Sequence, residues 1–228
     1  MALEKQPGES GAGGQTESGK RASGRGDAEV SRNNILDIAT EEFAANGLSG
    51  ARVDTIAEKT LTSKRMIYYH FGSKEGLYLA VLERAYGGIR IVEGDLHLDE
   101  YSPEDAIRIL IGSTFDYQND HPEFVRLVAI ENIHNADHLK TLPVIAKLNA
   151  SVIDTIQRIL DRGRSDGTFK AAIDATDLHM MISSFCFFRV SNRHTFSTIF
   201  ERDLGDAVVL VRHRQLIQDM IVTYLKNG

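Results

Sequence analysis

Cysteine is nearly missing from this 228-residue chain. Cys186 stands alone, so no internal disulfide can form, which fits a reducing cytoplasm. It sits in an apolar run, and a buried, inert thiol outweighs a redox sensor. No run of 18 apolar residues exists and the N-terminus has no apolar stretch before a cleavage site. The expectation is a soluble, unexported, cytoplasmic protein with no membrane partner. The Gly-x-Gly-x-x-Gly, P-loop and Gly-x-Ser-x-Gly patterns are all absent. With the carboxylates spread over helix surfaces, no nucleophile, base or cofactor motif supports an enzyme, and no catalytic residue or cofactor is expected. His134 and His138, four apart and near Glu131, could share a metal, but no third ligand has motif spacing; surface or pocket histidines outweigh a metal site.

Positive charge is also scarce overall, and the formal net charge is -6. Residues 1–90 hold 12 Lys and Arg against 12 Asp and Glu, whereas residues 91–228 hold 14 against 20. The acid is therefore concentrated in the C-terminal part. Screening over about 8 to 10 Å lets a local basic patch attract phosphates despite the distant total.

What is present is helical periodicity. A hydrophobic content of 42% supports a sizeable core in one or two domains. Residues 1–27, rich in Gly, Ser, Gln and Glu, are expected to form a disordered tail. Its basic end, Lys20 to Gly26, either lies in a minor groove as an arm or is a solvated linker. From Ser31 the residues Ile35, Ile38, Ala39 and Phe43 follow a helical period that ends at Asn46-Gly47. Val53 to Lys59 and Ser63 to Phe71 form two short helices joined by Thr60-Leu61-Thr62. Ser73 caps a longer helix through Leu77 and Val81, and Gly87-Gly88 marks an expected bend, unless crowding alone requires small residues there. Ser102-Pro103-Glu104-Asp105 and His121-Pro122-Glu123 open two further helices. The remaining helices span Thr141 to Arg164, Asp177 to about Val190, buried nearly all round, and Asp206 to Leu225. No segment argues for a sheet, so the fold class is all-α.

The second short helix carries the chemistry. Ile67 and Phe71 share one face as an anchor. Lys64, Arg65, Tyr68, Tyr69 and His70 project elsewhere, mixing positive charge with hydrogen-bonding rings suited to phosphates and base edges. Two short helices with a tight turn and a basic second member make a helix-turn-helix.

Residues 31–82 resemble the DNA-binding region of TetR-type transcriptional regulators, through Ile56-Ala57, Ser63-Lys64, Tyr68-Tyr69-His70-Phe71, Ser73-Lys74 and Leu77. The resemblance implies an N-terminal three-helix DNA-binding domain with its connecting helix over residues 28–92, and a helical-bundle effector-binding and dimerisation domain over 93–228. It implies a homodimer, assembled through the last two helices, that binds an inverted-repeat operator in double-stranded DNA and is released by a small-molecule effector. Arg52, Thr62, Ser63, Lys64, Arg65, Tyr68, Tyr69, His70 and Lys74 are the implied DNA-binding residues. Thr60 stands where the family usually has Gly, and Thr at positive φ would cost on the order of 1 kcal/mol or more.

For the effector, polar groups interrupting apolar helices nominate Glu131, His134, Asn135, His179, Phe185, Phe188, Arg189, Asn192 and Arg193. Buried hydrogen bonds or dimer contacts explain them equally well. Arg189 and Arg193 hint at an anionic effector such as a carboxylate. The competing class is a helical small-molecule sensor or an enzyme on the same scaffold that lacks operator-specific DNA binding; a salt-dependent band shift on the DNA flanking the coding region separates the two.

Overall fold

The computed structural model describes the backbone of residues 17–228 and the side chains from residue 29 onward. Ten α-helices follow in chain order among these residues: α1 (Glu17–Gly50), α2 (Val53–Lys59), α3 (Lys64–Phe71), α4 (Lys74–Gly94), α5 (Pro103–Asp120), α6 (Pro122–Ile133), α7 (Pro143–Ser165), α8 (Ala175–Ser191), α9 (Arg193–Phe200) and α10 (Ala207–Asn227). Single 3-10 turns at Leu98–Glu100 and Leu139–Thr141 precede α5 and α7. The described residues contain no strand, and the chain is all-α with two domains.

Capping explains most of the helix starts. Ser63, Ser73, Ser102 and Asp174 each accept a hydrogen bond from the backbone N–H three residues on, and Asp206 accepts from Val208 and Val209. Each such cap is worth about 1 kcal/mol. Helix α1 breaks where its sequence says it should, since Gly47 takes φ 66° and ψ 175°.

Three expectations need correction. Helix α1 begins at Glu17, so residues 17–27, expected to be unstructured, continue it. Once a helix is nucleated by a packed segment, each further residue adds a hydrogen bond at little cost, and nothing between Glu17 and Asp27 is a proline. Residues 1–16 of the expected tail, and the side chains of its basic end, lie outside the described residues. Secondly, α4 runs through Gly87-Gly88 as one helix to Gly94. Gly88 is small because a Cβ there would meet the Tyr117 hydroxyl at 2.5 Å, so crowding and not bending explains it. Thirdly, α8 is not buried all round: Leu178, Ile182 and Cys186 are buried, but Met180 is 59% and Phe188 50% exposed. Burial pushes the Cys186 thiol up to about 12, which keeps it protonated and unreactive.

Two cores organise the molecule. Ile35, Phe43, Ile56, Ile67, Leu77 and Tyr78 unite α1 to α4, joined by Leu127 of α6 and Ile145 of α7. Ile107, Phe115, Ile156, Leu160, Ile182 and Ile221 unite α5, α7, α8 and α10. Helix α4 is common to both halves, and a third cluster of Ile89, Phe124 and Val125 sits where it meets α6.

The α2–α3 turn also differs from expectation. Thr60 is right-handed at φ -88°, buried, and its Oγ1 donates to the Ile56 carbonyl at 2.7 Å. The left-handed residue is Leu61, at φ 53° and 96% exposed. Gly76 is needed for a different reason: a Cβ there would lie 2.1 Å from the Phe71 carbonyl oxygen.

Stability measured by denaturant unfolding should sort these positions. Leu61→Gly should stabilise by about 0.5 to 1 kcal/mol, because left-handed strain is relieved and almost no packing is lost. Gly87→Ala, in open space within a helix, should gain about the same, and Gly76→Ala should destabilise. A stabilised Gly76→Ala protein or a destabilised Leu61→Gly protein would contradict this account of the turn.

Candidate nucleic-acid interface and effector cavity

Helix α3 is held from below and free above. Ile67 is fully buried against the α1–α4 core, and Ser63 fixes the N-terminus through its bond to the Met66 N–H at 3.2 Å. The C-terminus is closed by Gly72 at φ 75°, whose N–H bonds the Tyr68 carbonyl at 2.8 Å. Arg32 of α1 lies over the Phe71 ring, 5.2 Å from its centroid. The helix is therefore clamped at both ends and along one side.

The opposite side is solvent-facing. Ser63, Lys64, Arg65, Tyr68 and Tyr69 are exposed, Tyr69 by 78%. Lys64 pairs with Asp54 of α2 on the surface. Such an exposed pair contributes at most about 1 kcal/mol, so exchange of Asp54 for a phosphate costs little. Lys74 reaches back to the Ser49 carbonyl at 3.3 Å. Arg52 caps the start of α2, where its N–H donates to the buried Glu42 carboxylate at 3.0 Å, leaving its side chain exposed. Thr62 lies half-buried in the turn. His70 stacks edge-on to Tyr69, and its Nε2 is enclosed with no hydrogen-bond partner. Six of the nine nominated residues are thus exposed, and Thr62, His70 and Lys74 are half-buried.

The residues nominated for an effector do not come together in the same way. Glu131 is 1% exposed and is a brace: its Oε1 accepts from the Tyr78 hydroxyl at 2.9 Å and lies 2.9 Å from His138 Nδ1, and its Oε2 accepts from the Leu139 N–H at 3.2 Å. A buried carboxylate needs such partners, and here they consume it. His134 and Asn135 are exposed in the turn after α6, with Asn135 at φ 56°. Arg189 faces α10 and the α9–α10 loop: Nε donates to His213 Nδ1 at 3.1 Å, Nη2 donates to the Leu204 carbonyl at 2.8 Å, and the guanidinium lies over Phe115. Arg193 pairs with Asp203, and Asn192 stands at the N-cap position of α9. Phe185 and Phe188 line an apolar groove of about 630 Å³ between α8 and α10, together with Met180, Leu216 and Met220. Arg189 and Arg193, each with a partner inside the protein, nevertheless line one space of about 390 Å³ together with Arg126 and His194.

Of the nine, His179 alone lines the open cleft between α4, α5, α6, α7 and α8, with a volume of about 610 Å³. Its walls are Tyr86, Ile89, Phe124, Val128, Met180 and Phe187, and its polar groups include Arg90, Thr114, Gln118, Asn132, Asn149 and Ser183. Arg90 and Glu93 form a buried ion pair at 2.5 Å. Burial pushes the Glu93 carboxyl up to about 7 against the lowering effect of Arg90. Burial, with Arg90 adding to it, also lowers His179 below the ordinary histidine value, so its ring is neutral at pH 7. One signal in the sequence could have found this site: Thr114 and Gln118 continue the apolar stripe of Ile107 and Ile111 with polar groups.

The comparisons with known proteins agree with both halves. Residues 35–81 match the family model described as bacterial regulatory proteins, tetR family, and residues 103–221 match that described as tetracyclin repressor-like, C-terminal domain. The chain is 36% identical over 200 residues to the HTH-type transcriptional repressor NicS of Pseudomonas putida, covering 88% of this chain and 94% of that protein. Its fold is similar to that of the transcriptional regulator SCO4942 from Streptomyces coelicolor, with a TM-score of 0.65, 23% identity and coverage of 87% and 99%. It is also similar to the transcriptional regulator FadR from Bacillus subtilis in complex with stearoyl-CoA, with a TM-score of 0.63, 20% identity and coverage of 84% and 97%. With a clamped, outward-facing α3 at one end and a helical bundle matched across residues 103–221 at the other, this chain belongs to the TetR family of transcriptional regulators.

Proposed function

We propose that the protein is a repressor that binds an inverted-repeat operator as a homodimer through α3 and is released when a small molecule enters the cavity beside α4. The observation that carries the reading is the arrangement of α3, anchored by Ile67 and presenting Lys64, Arg65, Tyr68 and Tyr69 outward. Lys64 and Arg65 face bases or adjacent phosphates, Tyr68 a base or its methyl group, and Ser63, Tyr69 and Lys74 the backbone. One short helix reads few base pairs, and two related by two-fold symmetry read successive major grooves about 34 Å apart.

The exposed apolar side chains of α8 and α10, among them Phe188, Val211, Leu216 and Met220, are the surface for the second copy. Ligand control is supported by the cavity and by a structural neighbour, the transcriptional regulator FadR, that was solved in complex with stearoyl-CoA. Coupling runs through α6: Val128 and Asn132 line the cavity, and Glu131 between them accepts the Tyr78 hydroxyl of α4.

Two measurements test this. In fluorescence anisotropy on operator DNA, Tyr69→Ala and Lys74→Ala should weaken binding to all sequences and flatten the salt slope by about one, whereas Lys64→Ala and Tyr68→Ala should relax sequence preference by about 1 to 3 kcal/mol. Folded variants that bind like the parent would remove α3 from the interface. In light scattering, the Phe188→Glu, Met220→Glu double variant should be a monomer at micromolar concentration and lose operator affinity at least tenfold; an intact dimer would move the interface elsewhere.

A further inference from the structure

Arg189 is a buried cation without a counter-ion. It is 4% exposed, and its partners, the Leu204 carbonyl, His213 Nδ1 and the Phe115 ring, bring no negative charge. Burial, with the Arg193 charge adding to it, holds the guanidinium below the ordinary arginine value, and no carboxylate acts against them. Charges this deeply buried are ordinarily paired with one of the opposite sign.

The surroundings of Arg189 show where a negative charge can enter. Arg193, one helical turn on, converges with it on the α9–α10 loop: Arg189 Nη2 donates to the Leu204 carbonyl at 2.8 Å, and Arg193 Nη2 lies 3.4 Å from Asp203 Oδ1, against the backbone of Gly205. Both line the space of about 390 Å³ that Arg126 and His194 share. Its floor is one face of α6, where Pro122, Val125, Arg126 and Ala129 follow a helical spacing, and Glu41 of α1 stands on another wall. Arg126, Arg193 and His194 are exposed, so solutes reach them, and Arg126 makes no ion pair among the described residues.

We infer that this trough is a second ligand site, separate from the cleft beside α4 and independent of its reading, and that it takes a small monocarboxylate. Arg126 and Arg193 bond the carboxylate through their planar forks, Arg189 supplies charge beside Arg193 without a contact of its own, and a short apolar body lies on Pro122, Ala129 and Val190. The wall charges set the class: three arginines stand against Glu41 and Glu123, leaving one positive charge to be met. One carboxylate balances it, whereas a phosphate dianion brings a surplus negative charge toward Glu41. Asp203, off the wall and 64% exposed, is a screened partner that Arg193 exchanges readily. The volume lies near the lower end of ligand cavities, about 300 to 1,000 Å³, which limits the apolar body to a few carbons.

The test is calorimetric titration of the full chain at pH 8, above the ordinary histidine range, with hexanoate, hexanamide and inorganic phosphate at constant ionic strength. Hexanoate should bind at least tenfold more tightly than either of the others. Arg126→Gln, at an exposed residue with no partner to lose, should remain folded and weaken hexanoate at least fivefold, while Ser183→Trp, which fills the cleft beside α4, should leave hexanoate affinity unchanged. Equal binding of hexanamide overturns the anion, and equal binding of phosphate overturns the single charge. Hexanoate binding that is lost in Ser183→Trp but kept in Arg126→Gln belongs to the cleft beside α4 and overturns the second site, as does the absence of any hexanoate binding.

Discussion

The hydrogen bond from Tyr78 to Glu131 holds the two halves of this protein in register. Tyr78 is fully buried and belongs to the DNA-binding core, where it meets Phe43 edge-on at 5.0 Å. Glu131 belongs to α6, which forms one wall of the cavity. Burial and the neighbouring carboxylate both push the tyrosine phenol above its ordinary value, so it stays a donor at every physiological pH. Hydrogen bonds to charged groups contribute about 1.5 to 3 kcal/mol, and losing one here would also leave a buried carboxylate underpaired. The remaining partners of Glu131 come from the segment after α6, at His138 and the Leu139 N–H, so a single side chain joins α4, α6 and the turn leading to α7. Any ligand that displaces α6 must work against this bond.

The parts of the fold that were legible in the sequence are those decided locally. Ser73 and Ser102 cap the helices they were expected to start, because capping needs only one side chain and a backbone N–H three residues away. The outward face of α3 was legible for the same reason: on so short a helix, placing Ile67 in the core fixes where Lys64, Tyr68 and Tyr69 must point. Thr60 was misjudged because handedness in a three-residue turn depends on which residue faces solvent. Thr60 has a buried carbonyl to bond and stays right-handed, and the strain passes to Leu61, which has nothing to lose by exposure.

The cleft lined by His179 was hard to see because it is a tertiary object. Arg90, Gln118, Asn149 and His179 come from four helices, and no spacing within the chain ties them together. The polar run Glu131 to Asn135 looked like a site in one dimension. In three, Glu131 turns inward to bond Tyr78 while His134 and Asn135 turn out to solvent. Arg189 is buried, and its carbonyl, imidazole and aromatic partners come from distant parts of the chain that no local pattern connects. Helix α9 was not anticipated from the sequence, and no side-chain cap marks its start.

Helix α8 explains how one bundle can serve two purposes. Met180 and Ser184 line the cavity beside α4 and also the apolar groove beside α10. A helix packed at native density moves as a rigid body, so a displacement on its cavity side reappears on its groove side almost undiminished. Its apolar composition on all sides, expected from sequence to mean complete burial, instead serves a core, a cavity wall and an exposed face at once. If the groove seats a second copy of the chain, ligand entry and the spacing of the two α3 helices are joined twice, through Glu131 within one protomer and through α8 between them. A repressor needs the second link, because an operator with fixed half-site spacing responds to the separation of its two readers and not to the shape of either one alone.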